Sequence, residues 1–228
     1  MKSVPACIVA VALLARPLVA QKTANPATQA NAVEQPVAAD SLARGALADL
    51  RSIPGLRFEL RYATSVNFTG AVLPGYGAAV PLLRREAVRA LGAVQRRLAA
   101  RGLGLKVWDG YRPVRATLGM VAWCERNGRV DLLDSGYIAR RSRHNQGVAI
   151  DLTVVNLATG RELPMGTGFD AFNARAHTAN ATGQEAANRA LLGDAMRRAG
   201  FVNYVGEWWH FSFDVPDPVP YDLALERW

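Results

Sequence analysis

The stretch Ser142-Arg143-His144-Asn145-Gln146-Gly147-Val148-Ala149-Ile150-Asp151 constrains this chain more than any other. It sets a histidine and an aspartate seven positions apart, with a glycine between them. Val148, Ile150, Leu152 and Val154 recur at the period of a strand. A strand joined to a glycine-containing bend can aim an imidazole and a carboxylate at one point, which is what a divalent cation requires of a protein. Near the C-terminus, Glu207-Trp208-Trp209-His210 offers a second imidazole with a carboxylate three residues before it. His144, Asp151 and His210 are therefore candidate metal ligands and Glu207 a candidate base, with a coordination position left for water. The chain has three histidines, and two of them fall in these stretches. His177 has no acid at ligand spacing and reads as a surface residue or a neighbour of the site.

The remainder of the chain has to fold so that these stretches meet. Its 228 residues, 50% hydrophobic and 20% charged, suit one core better than two. Phe58–Tyr62 alternates as a strand. From Pro81 the positions Leu83, Ala87, Leu91, Val94 and Leu98 repeat at helical spacing, and Gly102 closes that helix. Leu103–Trp108 reads as a buried strand. Asp109-Gly110-Tyr111-Arg112-Pro113 is a turn leading into a helix over 114–126, and residues 127–141 look irregular. The strand over 148–155 ends at the turn Asn156–Gly160. A loop spans Gly166–Asn180, and Gln184–Arg198 is an amphipathic helix ended by Gly200. Phe201–Tyr204 and His210–Phe213 read as paired strands, followed by a proline-containing tail. This order predicts an α+β fold: a compact single domain with a small, mostly antiparallel sheet and flanking helices.

Ahead of that domain the composition changes. Lys2 precedes the apolar run Val4–Ala15, which is too short to span a bilayer comfortably, and Ala20 offers a small residue for cleavage. Residues 1–20 thus read as a signal peptide, implying a periplasmic or secreted protein with no membrane span after cleavage. Residues 21–50, rich in Ala, Gln, Asn, Thr and Pro, read as a flexible linker with room for a short helix around Ser41–Leu50. The folded domain is expected over 51–228.

The net charge of +8 is spread over many arginines. Solvated helix faces account for them best. Attraction to an anionic polymer is the sharper alternative, and no nucleic-acid-binding motif accompanies it. Of Cys7 and Cys124, the first lies in the signal segment, which leaves Cys124 without an intrachain partner. It reads as a small apolar core residue.

Two imidazoles and a carboxylate suit Zn²⁺, with water in the open position. Glu207 stands near that position and is free to take and pass on a proton. Arg112, in a turn stiffened by Pro113, is a candidate cationic donor for the oxygen of an attacked carbonyl; it would serve equally as a brace for the turn. Asp109 could cap the 114–126 helix, Ser142 could be a turn residue only, and Trp208 and Trp209 read as core and cleft wall. A Ser-His-Asp hydrolase built on Ser142, His144 and Asp151 is set aside, because no nucleophile-elbow glycine pattern surrounds Ser142.

The motif Ser142-x-His144-x-x-Gly147-x-Ala149-x-Asp151 with Glu207-x-x-His210 resembles the zinc peptidases that process D-Ala-D-Ala. Arg61-Tyr62-Ala63-Thr64, Asn67-Phe68-Thr69-Gly70, Trp108-Asp109-Gly110-Tyr111-Arg112-Pro113, Pro164-Met165-Gly166 and Phe169-Asp170 extend the likeness to the D-alanyl-D-alanine dipeptidases, over about residues 51 to 215. The resemblance implies a compact α+β domain with one Zn²⁺ per chain, held in a cleft by His144, Asp151 and His210. It implies Glu207 as general base and acid, Arg112 as stabiliser of the tetrahedral intermediate, and Tyr62, Ser142 and Asp170 around a small dipeptide. Asp170 would meet the free ammonium, favouring a free dipeptide over the end of a longer peptide. The implied reaction is hydrolysis of D-Ala-D-Ala to two D-Ala. The nearest alternatives are a D,D-carboxypeptidase or an L,D-endopeptidase acting on peptidoglycan stem peptides. An alternative of another kind is a wall-binding module with a structural zinc. Two departures from the resistance enzymes of the group stand out. The stretch between the 114–126 helix and Ser142 is shorter, which would open the cleft, and the signal segment implies action on wall-derived dipeptide outside the cytoplasm.

Overall fold

The strand that carries Asp151 lies at the centre of the sheet, and both of its neighbours run antiparallel to it. In the computed structural model, which describes Met1 and residues 37–226, the helices are α1 (Asp40–Ala46), α2 (Arg85–Ala99), α3 (Val114–Arg126), α4 (Asp131–Asp134) and α5 (Gly183–Arg197). The strands are β1 (Leu47–Asp49), β2 (Arg57–Phe58), β3 (Leu82–Arg84), β4 (Leu103–Asp109), β5 (Ala149–Asn156), β6 (Phe201–Asn203) and β7 (His210–Phe213). The main sheet has the order β2-β4-β5-β7-β6, and only the β2–β4 pair is parallel. β1 and β3 form a separate antiparallel pair. The expected α+β fold with a small, mostly antiparallel sheet is what the chain adopts.

Register positions the site. Asp151 on β5 stands opposite Asp109 on β4 and opposite His210 on β7. Facing residues on adjacent strands project to the same side, so this row places two carboxylates and an imidazole together. A register shift between Val107 and Asp109 bends β4 and turns Asp109 into that row. On the opposite face, Leu105, Val107, Ile150, Leu152 and Val154 join Leu91, Val94 and Leu98 of α2 and Leu192 and Met196 of α5 in the larger core cluster. Every residue of β5 except Asn156 is buried, because helices cover one face and the cleft-side loops the other. A second cluster collects Leu47, Leu82, Tyr62, Tyr76, Met120 and Cys124 with Tyr221, Leu223 and Leu225 of the tail. Cys124 is a buried free thiol, as expected.

Helix α3, the buried strand β4 and the β6–β7 pair occur where periodicity places them, and β5 and α5 lie within a residue of expectation. Four expectations are revised, the smallest being that the stretch 127–141, expected to be irregular, contains the one-turn helix α4. The strand expected over Phe58–Tyr62 is only β2, followed by a 3₁₀ turn at Arg61–Ala63 that sends the Tyr62 ring into the core. The helix expected from Pro81 starts at Arg85, because Leu82–Arg84 instead pair with Leu47–Asp49. That pairing also shortens the linker expected over 21–50. α1, β1 and a 3₁₀ turn at Leu50–Ser52 belong to the fold, and Ala43, Leu47 and Leu50 are fully buried. The domain therefore begins before Arg51, with Ala38 already bridged to Tyr221. The signal-peptide cleavage site and the first part of the linker lie outside the described residues. Among the described residues, no helix is long and apolar enough to cross a membrane.

Candidate active site

The His144 imidazole is aimed by its own short element. Arg143–Gln146 forms a 3₁₀ turn capped at both ends. Ser142 Oγ accepts from the His144 amide, the Asn145 side chain accepts from the Ser142 amide, and Gly147 ends the turn in the left-handed region at φ 66°. His144 Nδ1 lies 2.7 Å from the Gly110 carbonyl. Donation to that carbonyl puts the proton on Nδ1 and leaves the Nε2 lone pair facing the cleft.

Nε2 is 3.2 Å from His210 Nδ1 and 3.3 Å from Asp151 Oδ2, and His210 Nδ1 is 3.0 Å from Asp151 Oδ1. One ligand atom from each of these residues lies within 4.8 Å of the others, so the three could hold a metal ion. Tetrahedral ligands at about 2.0–2.1 Å from zinc stand roughly 3.3 Å apart, so the observed spacing fits such an ion. The protonation states fit as well. Burial lowers the His210 pKa, keeping the imidazole neutral. Burial works against ionisation of Asp151, but His144 and His210 more than offset it and hold the carboxyl well below its usual range.

Arg112 enters from the β4–α3 turn. Its Nε and Nη2 donate to Asp109 Oδ2 at 2.9 and 2.8 Å, its Nη2 lies 3.8 Å from Asp151 Oδ2, and the guanidinium sits 4.9 Å from the Tyr62 ring centroid. It therefore braces the turn and also faces the cleft. Burial opposes its charge, but Asp109 and the neighbouring tyrosines raise its pKa, so it remains a cation. Asp109 does not cap α3. It accepts from Tyr76 Oη at 2.5 Å and approaches His144 Nδ1 at 3.5 Å, fixing Arg112 beside that histidine. Asn145 Nδ2 donates to the Arg112 carbonyl and to Thr117 Oγ1, each at 2.9 Å, and so stitches the two turns together.

Glu207 lies in the β6–β7 turn, its Oε2 3.9 Å from His210 Nδ1. Asn203 Nδ2 holds the turn by donating to the Glu207 and His210 carbonyls. Burial, reinforced by Asp151 and Asp170, pushes the Glu207 carboxyl well above its usual range. Tyr62 Oη donates to Asp170 at 3.0 and 3.2 Å, and Asp170 occupies the left-handed region at φ 56°. Burial and then Asp151 raise the Asp170 pKa to about 7.

Tyr62, Arg112, Ser142, His144, Asp151, Asp170, Glu207 and His210 all line one cleft of about 470 Å³. Tyr137, Ile138 and Arg141, from the stretch before Ser142, form part of its rim. Trp209 contributes to the wall and Trp208 is buried behind it, as the sequence suggests. His177 stays outside the cluster and meets Tyr137 Oη at 3.2 Å. Asp109, Tyr76, Asn145 and Asn203 were not singled out as site residues from the sequence. Asp109 and Asn145 fall inside stretches already singled out but were given no role at the site there; the register opposite Asp151 gives Asp109 its place, and Tyr76 and Asn203 carry no motif of their own.

A family model described as D-ala-D-ala dipeptidase matches residues 44–222, more than half of the chain. The chain belongs to the D-Ala-D-Ala dipeptidase family. That is a metallopeptidase family, and the match begins within α1, in keeping with a fold that starts before Arg51. A D-alanyl-D-alanine dipeptidase of Enterococcus faecium is 38% identical over 186 residues, covering 74% of this chain and 92% of the relative. One from Streptomyces coelicolor is 36% identical over 185 residues with the same coverage. One from Escherichia coli K12 is 36% identical over 184 residues, 79% of this chain and 90% of the relative. A solved vancomycin-resistance D,D-pentapeptidase in complex with Zn(II) has a TM-score of 0.38 and 17% identity over 58% of this chain and 73% of its own, a likeness too partial to bear on the site.

Proposed function

We propose that this family member is a zinc-dependent dipeptidase that hydrolyses D-Ala-D-Ala to two D-Ala, with one zinc bound by His144, Asp151 and His210. The observation that carries the reading is the clustering of those three residues in one cleft with Glu207, Arg112 and Asp170. Zinc held there would acidify a bound water toward a pKa of ~7. Glu207 accepts the proton of the attacking water and delivers it to the leaving amine. Its raised pKa suits both halves of that task, because a strong base takes the proton and its acid form then returns it. Arg112, held by Asp109, donates to the carbonyl oxygen as it gains negative charge. Asp170 and Tyr62 receive the substrate ammonium, and Ser142 lines the wall beside His144. Asp170 also favours this reading over a D,D-carboxypeptidase or L,D-endopeptidase: a buried carboxylate rewards a free amine and is left unpaired by an acylated one. The N-terminal segment supports an exported enzyme, periplasmic or secreted, that acts on dipeptide released from peptidoglycan.

Glu207→Ala tests the division of labour. Turnover should fall by about 10²–10⁴ for loss of a general acid-base group, while metal content, measured by elemental analysis, stays near one zinc per chain. Loss of the metal together with activity would make Glu207 a ligand and contradict the assignment.

A further inference from the structure

The loop that presents Asp170 has little regular structure of its own; Trp208 Nε1 donates to Thr167 Oγ1 and Arg175 Nη2 to the Gly166 carbonyl within it, and one side chain, Arg189, ties both of its ends from behind. Arg189 projects from α5 and is 4% exposed. Its Nε donates to the Met165 carbonyl at 2.8 Å, its Nη1 to the His177 carbonyl at 2.7 Å, and its Nη2 to the Arg175 carbonyl at 2.9 Å. Thr178 O lies 3.5 Å from Nη1. These carbonyls fall at both ends of the segment 165–178, so one planar fork closes the loop on which Asp170 sits. Beside it, Asn188 Nδ2 donates to the Pro164 carbonyl at 2.7 Å. Among the described residues Arg189 forms no ion pair. Burying a cation is costly; the nearby Glu185 carboxylate supports its charge electrostatically, and the hydrogen bonds to loop carbonyls compensate the rest. A surface helix has no need of such a group, whereas a loop that must hold a left-handed aspartate in place does.

We propose that Arg189 is the positioning residue for Asp170, and through it sets the preference for a free substrate ammonium over a blocked amine. The inference rests on the dipeptidase reading and deepens it. Arg189 lines no part of the cleft and acts only through the loop. The far end of the loop meets the turn that carries Glu207, through Trp208 N to the Ala176 carbonyl, Thr178 N to the Val205 carbonyl and Thr178 Oγ1 to Asn203 Oδ1. Asn203 and the β6–β7 pair hold that turn through bonds in which Arg189 takes no part. Removing the fork should therefore affect ammonium recognition more than the chemical step. Lysine keeps the charge but supplies a point donor, which cannot reach both ends of the loop.

The test compares kcat/KM for D-Ala-D-Ala and N-acetyl-D-Ala-D-Ala in the zinc-loaded wild type, Arg189→Lys, Asp170→Asn and the double variant. A misplacement of Asp170 in Arg189→Lys should cut the free-to-blocked ratio on the order of tenfold, mostly through KM, with zinc content unchanged. In the double variant Arg189→Lys should add nothing to Asp170→Asn, because both act at one point. An unchanged ratio in folded Arg189→Lys, a loss confined to kcat, or additive effects in the double variant would overturn the proposal. If Arg189→Lys does not fold, Asn188→Leu removes the adjacent tie to Pro164. It should shift the ratio in the same direction by a smaller factor, and an unchanged ratio there also overturns the proposal. A wild type that cleaves neither substrate would instead refute the dipeptidase reading itself.

Discussion

Asp170 holds its proton more tightly than an exposed aspartate. Burial first, then the negative charge of Asp151, raises its pKa to about 7. Only the ionised form attracts an ammonium, and the acid form predominates below the pKa. The kcat/KM for free dipeptide should therefore fall at acid pH, with a limb at or below about 7 in the pH–rate profile of the free enzyme. A cation bound beside Asp151 offsets that neighbour's charge and moves the limb to lower pH, never higher. Asp170→Asn and an N-blocked substrate should both lose the Asp170 contribution, leaving a shallower limb set by Glu207 and metal-bound water; a limb identical to wild type in both would assign it to those groups alone. At this scale the sequence is uneven. His144, Asp151, His210 and Glu207 are legible because each imidazole comes with an acid at short spacing. Asp109 is not, since its value depends on a strand register that no local pattern encodes.

The elements that aim these side chains are short and depend on a few residues. The 3₁₀ turn bearing His144 ends at Gly147, and a Cβ there would lie 2.4 Å from Leu47 Cδ2. Leu47 is fully buried in β1 and has no room to retreat. Gly147→Ala combines left-handed strain with overpacking and should cost about 2–4 kcal/mol in urea unfolding. Gly128 has the same φ of 66° with nothing within 4 Å of the added Cβ, so Gly128→Ala should show the strain alone, about 1–2 kcal/mol. Equal losses at the two sites would show that the contact with Leu47 is slack. Elements with sustained periodicity, such as α2 and β5, could be read in advance. The pairing of β1 with β3 could not, because each is three residues long and their partnership is decided at a separation of more than thirty positions.

Across the whole molecule, the sheet, the two helices on its far face and the returning tail hold the cleft residues in one place. The reach of the fold into residues 38–50 was hidden by an alanine-rich composition, in which Leu47 and Leu50 are few but fully buried. The overall class was legible because helices and short strands alternate in an order that closes a small antiparallel sheet. The central claim concerns the whole assembly: metal-dependent hydrolysis, restricted by Asp170 to dipeptides with a free amine. D-alanine release from D-Ala-D-Ala and from N-acetyl-D-Ala-D-Ala, with and without a zinc chelator, tests it most directly. The account predicts release from the free dipeptide, little from the blocked one, loss on chelation and recovery on returning zinc. Equal release from both substrates, or release that survives removal of the metal, would contradict it.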